Sequence, residues 1–595
     1  MNQARQVLKT YFGYDAFRPG QHEIIESILA HRDVLAVMPT GAGKSLCYQI
    51  PALLFEGVTV VISPLISLMK DQVDALEAAG IPTTFINSTH SLPEIQQRTR
   101  GLRQGKYRLL YIAPERLESA FFMELLASLT IPLVAVDEAH CVSQWGHDFR
   151  PSYMHIAASI RKLPSHPIIA AFTATATDRV KQDIAEGLQL HDPLRVTTGY
   201  ARENLTFQVF RGVDKRSFLL DYVRKHADES GIIYASTRKE VEECARYLNQ
   251  HGLAAGVYHA GIEDEARLEA QEQFLYDRIS VMVATNAFGM GIDKSNVRYV
   301  LHYNMPRNIE SYYQEAGRAG RDGDAGDCIL LYGPQDVMTQ KYIIEQSETD
   351  EERTKSEYRN LHQMVEYCHT SHCLQQHIVY YFGDRTAEPC GKCSNCTDDR
   401  ETVDVTTEAQ KIFSCVVKMK QRFGVTLTAK VLRGANDQKV RQLGLSQLST
   451  YGILSTYKEK ELVQLIQSLI VDGYLKLSDS AYPVLQITAK AKSVLLSDEK
   501  VYMKRVVQPV VTQSDYAVVN ESLFEELRSL RKTLSQQYRI PPFTIFHDAT
   551  LREMSERLPV SKADMLDIKG MGTVKLEKYG DDFLEIIRRF RQTAP

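Results

Sequence analysis

Two short stretches carry the residue types that phosphate chemistry needs. Met38–Ser45 reads MPTGAGKS, and further along Val136–His140 reads VDEAH. Gly41 and Gly43 let backbone N–H groups curl around a phosphate, because a Cβ at either position would obstruct the approach. Thr40 and Ala42 complete that loop. Lys44 is placed to neutralise β- and γ-phosphates, and the Ser45 hydroxyl to ligate Mg²⁺. In the second stretch an apolar strand, LVAV, ends in two carboxylates: Asp137 for the metal shell and Glu138 to polarise a water. A glycine turn or an acidic strand end alone is ordinary surface structure. Together, in this order and at the ends of two apolar strands, they form a nucleoside triphosphatase core. The strict phosphate-loop pattern would place a glycine where Met38 stands.

A second group of candidates lies on IESYYQEAGRAGRDG, a helix beginning at Ile309. Arg318 and Arg321 are three apart, so they project from neighbouring positions on one helical face or its frayed end. Gln314 lies one turn earlier. Guanidinium groups there can reach across a cleft to a γ-phosphate. Surface arginines are the bland alternative, but the two Ala-Gly steps favour a close approach.

These residues require strands to deliver them. Up to about Thr198, apolar β-branched runs alternate with helical stretches: VTVVISP, RLLYIAPE, PLVAVDE and PIIAAFTAT. A second series starts near Phe207: GIIYAST, AAGVYHAG, SVMVATNAFGMGID, YVLHYNMP and CILLYGP, with no glycine–lysine loop. Both halves read as doubly wound α/β domains with parallel sheets, the second completing a site at the crevice between them.

Trp145, the sole tryptophan, stands with His147, Phe149 and Arg150 shortly after Glu138. Aromatic rings and a guanidinium suit a single strand, whose bases stack on π-faces regardless of sequence. Core packing is the competing reading for Trp145 and Phe149. The polar and turn-forming neighbours Gln144, Gly146 and Asp148 favour an exposed loop.

Cys390, Cys393 and Cys396 in PCGKCSNC are spaced for thiolates to converge on one tetrahedral zinc. Cys373 is the candidate fourth ligand; Cys368, His369 and His372 compete on spacing, and a C-x-x-C redox pair is the other chemistry. From Val405 to Val510 there are 16 Lys plus Arg against 8 Asp plus Glu, within a chain of net charge −4. Positive charge is therefore concentrated where phosphate binding would use it. ELVQLIQSLIVDGYLKL, SDSAYP and VLQIT read as a helix and a hairpin, the look of a winged helix. After the linker VVQPVVTQSD, a helical segment runs from Asn520 to about Arg591. Within it KGMGTVKLEKYG offers a glycine turn for a phosphate and PPFTIF puts Phe543 in a turn for base stacking; either can equally be packing.

At 595 residues the chain is long enough for three to five domains. It has no N-terminal apolar h-region and no apolar run near membrane-spanning length, so neither secretion nor a membrane span is expected, and a cytoplasmic protein with reduced thiols is.

Read together, FRPGQ, PTGAGKS, ISPLISLMKDQ, APERL, DEAH, TATAT, YASTRKEVE, ATNAFGMGIDK and QEAGRAGR resemble the ordered motifs of superfamily 2 helicases. FGYDAFRPGQ, the loop SQWGHDFRPSY and the cysteine cluster resemble its RecQ branch of DNA helicases, bacterial in type. The resemblance implies a multidomain α/β chain. Two RecA-like parallel-sheet domains would occupy residues 1–205 and 206–340, a helical zinc-binding domain 341–403, a winged helix 404–510 and a small C-terminal helical (HRDC) domain 516–595. It implies that Tyr14, Arg18 and Gln21 recognise adenine, and that Thr173 and Thr175 couple the two halves. Asp293, Gln314, Arg318 and Arg321 would contact nucleotide or transmit its state, and Trp145, His147, Phe149 and Arg150 would contact DNA. Cys373 would join the other three cysteines on Zn²⁺, and Met38 would be a family-level variation.

The activity so implied is ATP- and Mg²⁺-dependent unwinding of duplex and forked DNA with 3′-to-5′ movement on a single strand, in repair, recombination and replication-fork maintenance. A monomer at the nucleoid, with single-stranded DNA-binding protein as a partner, completes that expectation. An RNA helicase, a translocase that does not unwind, and an ATP-gated binding protein without turnover are the competing classes.

Overall fold

The computed structural model describes residues 1–87, 90–146, 148–289, 294–347, 351–400, 402–478, 483–496, 499–504 and 520–593. Its first lobe is a seven-stranded parallel sheet. The strands are β1 (Val34–Val37), β2 (Thr59–Ile62), β3 (Thr83–Ile86), β4 (Leu109–Ile112), β5 (Leu133–Val136), β6 (Ile168–Thr173) and β7 (Leu194–Thr197), in the order β3-β4-β2-β5-β6-β1-β7. The runs VLAV, TVVI, LLYI and LVAV are buried at every residue, as parallel strands covered on both faces must be. Because β5, β6 and β1 are neighbours, the segments leaving their carboxyl ends lie side by side: Asp137–Glu138, Ala174–Thr175 and the loop from Met38. That adjacency is what the topology contributes to the site.

The second lobe is a six-stranded parallel sheet of β8 (Leu205–Arg211), β9 (Ser230–Tyr234), β10 (Ala255–Tyr258), β11 (Val281–Ala284), β12 (Val297–His302) and β13 (Gly326–Tyr332), ordered β10-β11-β9-β12-β13-β8. The strands β3 (TTFI) and β7 (LRVT) at the edges of the first sheet have no counterpart in the sequence reading. They are less apolar than the central strands, so they lack the hydrophobic signal by which those are read.

A helix from Pro334 to Gln346 leads out of the second lobe. Its start is fixed by Pro334 at the first turn and by Asp336, whose carboxylate accepts the Gly333 N–H at 2.9 Å and pairs with Lys215 at 2.9 Å. The expected boundary at 340/341 falls inside this helix. The helix Glu351–His369, the helix Leu374–Tyr381 and the cysteine turn follow. The basic segment has its own apolar core around Ile412, Phe413, Leu432 and Ile466. Its helix Glu459–Val471 leads into the antiparallel hairpin β15 (Leu475–Leu477) and β16 (Leu485–Ile487), and a separate antiparallel pair joins β14 (Thr402–Asp404) to β17 (Tyr502–Lys504). Residues 479–482 and 505–519, the latter containing the linker VVQPVVTQSD, lie outside the described residues.

The C-terminal helices, Glu521–Tyr538 to Thr573–Thr593, dock across both lobes. On the first lobe Lys9 Nζ donates to the Leu566 carbonyl at 3.1 Å, the Gly570 N–H to Gly13 at 3.2 Å and the Thr573 hydroxyl to Thr10 at 3.2 Å. On the second, the Tyr276 hydroxyl donates to the Arg539 carbonyl at 3.0 Å, and Arg552 pairs with Asp324 at 3.3 Å. Gly13 sits at φ +71°, and a Cβ there would lie 2.6 Å from the Met571 backbone. The glycine turn, open to a phosphate or to packing, therefore packs on the N-terminal segment. Phe543, placed by the sequence in a turn for stacking or for packing, lies in the helix Pro542–Ile545 and packs against the apolar core of the lobes. Of the two alternatives left open for each, packing is the one observed, through a docking that sequence spacing does not encode.

Candidate functional site

The loop after β1 has the shape its glycines imply. Gly41 and Gly43 adopt φ +82° and +80°, whereas Met38 has no left-handed backbone and is fully buried. A glycine is not required at position 38, which is why the departure from the strict pattern is harmless. Gln21, 1% exposed, donates its amide to the carbonyls of Ala42 at 3.2 Å and Gly43 at 3.0 Å, and accepts the Arg18 N–H at 2.8 Å. Arg18 reaches the Gly41 carbonyl with its guanidinium. Tyr14 is half-buried and packs on the N-terminal helices. Gln21 and Arg18 thus hold the phosphate loop directly, a contact that the adenine assignment did not foresee.

Lys44 donates to the Met38 carbonyl at 3.1 Å. Burial lowers its pKa, against the pull of Glu138 and Asp137 and with Arg321 and Arg202 nearby. The Asp137 carboxyl is shifted upward, first by burial and then by the Glu138 carboxylate. A half-buried ammonium and two half-buried acids beside a glycine cradle suit a polyphosphate with its divalent cation. Ser45 opens the helix Leu46–Leu54 and is half-buried at this cradle. Glu138 adopts φ +48°, a left-handed conformation that costs a non-glycine residue about 1 kcal/mol or more. His140 Nδ1 lies 3.2 Å from Glu138 Oε2 and 2.9 Å from the Thr173 hydroxyl, and that hydroxyl donates to the Thr175 carbonyl at 3.1 Å. The acidic pair is thereby wired to the end of β6.

From the other lobe, the helix Ile309–Ala316 carries the half-buried Gln314, and Arg318 and Arg321 follow on the turn beyond its end. They stand on the frayed end and not on a helical face, because the helix stops at Gly317. A Cβ on Gly41 would lie 3.2 Å from the Arg321 carbonyl oxygen, so the arginine turn meets the phosphate loop closely. Sequence reasoning missed Arg202 and Asn204, in the segment joining the lobes. Arg202 contacts the carbonyls of Thr40 and Gly320, and Asn204 donates to Gly320 at 2.9 Å. Such residues work through backbone carbonyls, which leave no spacing motif. Asp293 lies outside the described residues.

The aromatic loop leaves the Asp-Glu-Ala-His turn directly. Trp145 is half-buried, with the Arg179 guanidinium 3.7 Å above its ring. Neither a core position nor a bare exposed ring describes it. Ser143 donates to Asp183 on the same helix as Arg179, and a Cβ on Gly146 would strike the His140 carbonyl at 2.4 Å. Arg150 pairs with Asp148 at 3.0 Å and donates to the Pro64 carbonyl at 2.8 Å; Arg353 lies 5.9 Å from the Phe149 ring. A crevice beside the loop is lined by Gln144, Trp145, Arg307, Asn308 and Arg353, from both lobes and the helix Glu351–His369. His147 lies outside the described residues.

The Sγ atoms of Cys373, Cys390, Cys393 and Cys396 all fall within 4.8 Å of one another. Four thiols at that separation fit tetrahedral zinc, whose Zn–S bonds are about 2.3 Å. Cys368, His369 and His372 are not in the cluster; Cys368 is buried, its thiol pushed up by desolvation.

Comparison with known proteins agrees with this geometry. The DEAD/DEAH box helicase profile matches residues 18–184 and the helicase conserved C-terminal domain matches 214–323. The two lobes and their cleft are thus those of a helicase motor. The RecQ zinc-binding profile matches residues 334–397, the RQC domain 399–511 and the HRDC domain 520–587. The chain is 50% identical over 591 residues to the ATP-dependent DNA helicase RecQ of Bacillus subtilis (strain 168), spanning 99% of both chains. It is 40% identical over 597 residues to that of Pasteurella multocida (strain Pm70), spanning 99% of this chain and 94% of the other. Against the RecQ-like DNA helicase BLM of Xenopus laevis identity is 33%, spanning 99% of this chain and 47% of the other. The chain belongs to the RecQ family of ATP-dependent DNA helicases, with Zn²⁺, Mg²⁺ and ATP as its cofactors. Among the described residues no helix is long and apolar enough to cross a membrane.

Proposed function

We propose that this chain uses ATP hydrolysis to move 3′-to-5′ along single-stranded DNA and to unwind duplex and forked DNA ahead of it, in repair, recombination and replication-fork maintenance. The observation that carries this reading is the convergence of the phosphate loop, the acidic pair and the arginine turn in one inter-lobe cleft, with the aromatic loop leaving the acidic pair directly. Bound ATP and Mg²⁺ supply the reacting phosphoryl group and its counter-charge.

In this reading Thr40, Gly41, Ala42 and Gly43 cradle the phosphates, Lys44 neutralises them, and Ser45 and Asp137 hold the metal. Glu138 orients the attacking water and takes its proton, while Gln314, Arg318 and Arg321 stabilise charge from the second lobe. Tyr14, Arg18 and Gln21 serve the adenine end, and Gln21 also steadies the phosphate loop. Asp293 reports the nucleotide state within the second lobe. Trp145, His147, Phe149 and Arg150 hold the single strand, and the basic segment 404–510 grips the duplex.

Residues 1–205 and 206–340 then act as the two motor lobes, 341–403 as a zinc-stapled platform and 516–595 as an auxiliary module. A monomer acting in the cytoplasm at the nucleoid, with single-stranded DNA-binding protein as a partner, completes the proposal. Strand displacement on duplexes with a 3′ or a 5′ single-stranded tail is the test. Displacement should need the 3′ tail and ATP. Displacement from the 5′ tail alone would reverse the polarity, and ATP turnover stimulated by RNA but not DNA would favour the RNA reading.

A further inference from the structure

Arg202 lies in the segment that joins the lobes and is 9% exposed. Burial of a guanidinium is costly unless its donors are met. Here all five are. Nη1 donates to the Thr40 carbonyl and to Gly317 at 3.5 Å; Nη2 donates to Ala319 at 3.4 Å and Gly320 at 2.9 Å; Nε faces Asn204 Oδ1 at 3.4 Å. Thr40 belongs to the phosphate loop of the first lobe. Gly317, Ala319 and Gly320 form the turn that carries Arg318 and leads to Arg321 in the second.

The geometry sets carbonyl groups from two lobes against one cation. The turn follows the C-terminal end of the helix Ile309–Ala316, where carbonyls lack intrahelical partners and the dipole favours positive charge. Without the guanidinium, the Thr40 carbonyl and those of the turn would present like ends of their dipoles to one another and drift apart. Neighbouring contacts brace the same turn. Asn204 donates to Gly320 at 2.9 Å and to Asp324 at 2.6 Å, and the Tyr313 hydroxyl donates to the Tyr200 carbonyl at 2.7 Å. A lysine could not take this place, because a point charge on a flexible stem does not span acceptors in two lobes with a fixed planar fork.

We propose that Arg202 is a positioning residue for hydrolysis: it registers the Arg318–Arg321 turn against the phosphate loop and acts through those arginines, not on the nucleotide. With every donor committed to protein oxygens, Arg202 has none left for a phosphate. The proposal rests on the assignment of Arg318 and Arg321 to charge stabilisation, and its test keeps the two apart.

The experiment measures kcat and the KM for ATP at saturating single-stranded DNA in the full chain, for Arg202→Ala, Arg202→Lys, the pair Arg318→Ala/Arg321→Ala, and Arg202→Ala added to that pair. Arg202→Ala should lower kcat on the order of 10²-fold, as a misplacement of reacting groups by about 1 Å does, with KM within about threefold. Added to the arginine pair it should lower kcat by less than about twofold, because residues acting as a unit are not additive. Arg202→Lys should resemble Arg202→Ala.

A wild-type rate for the arginine pair would overturn the assignment of Arg318 and Arg321, whatever Arg202 does. An equal loss from Arg202→Ala with and without the arginines would overturn the positioning role alone. So would a raised KM at unchanged kcat, which would mark a direct nucleotide contact. If Arg202→Ala does not fold, Arg202→Lys is added to the arginine pair in its place, and a wild-type kcat for Arg202→Lys overturns the proposal.

Discussion

Lys44 and Glu138 divide the chemistry between charge neutralisation and water activation, and their substitution should separate the two. Lys44→Ala removes the cation that meets the phosphates, so ATP binding and turnover should both fail while the fold persists, the residue standing on a loop. Glu138→Gln keeps Asp137 and the cradle intact. It should bind Mg²⁺ and ATP normally and hydrolyse at least about 10²-fold more slowly, since loss of a positioned general base costs that much. Binding of a fluorescent ATP analogue beside steady-state turnover checks both; normal turnover in either variant contradicts its assignment. These residues were legible because a phosphate loop and an acidic strand end have fixed residue types at fixed spacing. Arg202 was not, because it serves backbone carbonyls that any sequence supplies. The Gln21 amide was visible as a candidate, but its grip on the carbonyls of Ala42 and Gly43 required coordinates.

At the scale of elements, the central strands were readable from apolar, β-branched runs, and the edge strands β3 and β7 were not. The winged-helix hairpin was readable from its helix and turn. The end of the arginine helix at Gly317 was not, because the Ala-Gly repeat is compatible with either continuation or fraying. The cysteine turn stands between the helix Leu374–Tyr381 and β14, and its thiolates are what join it to Cys373 at the start of that helix. Metal binding there is folding free energy, so Cys393→Ser should lose zinc and lower the melting temperature of the chain while ATP affinity of the folded fraction stays near normal. Metal analysis of the parent chain should find about one zinc, by the four-ligand count. A parent chain without zinc and with a Cys390–Cys393 disulfide would favour redox chemistry instead.

At the scale of the whole molecule, the parts are coupled by shared elements. The winged helix leans on the zinc module, with His372 at 3.7 Å from Asp472, and the C-terminal helices touch both lobes. The aromatic loop connects the nucleotide cleft to the crevice lined by both lobes and the helix Glu351–His369. It begins at the acidic pair and ends at Arg150, which is tied to the Pro64 carbonyl beyond β2. In the proposed function this loop reports a bound strand to the hydrolytic site. That coupling is tested by ATP turnover of Trp145→Ala with and without single-stranded DNA, alongside duplex affinity. Basal turnover and duplex affinity should stay near the parent values. The concentration of single-stranded DNA needed for stimulation should rise by roughly 5- to 150-fold, the equivalent of the ~1–3 kcal/mol that a base gains by stacking on an aromatic ring. Basal and stimulated rates falling together, with a lowered melting temperature, would make Trp145 a packing residue and contradict the coupling.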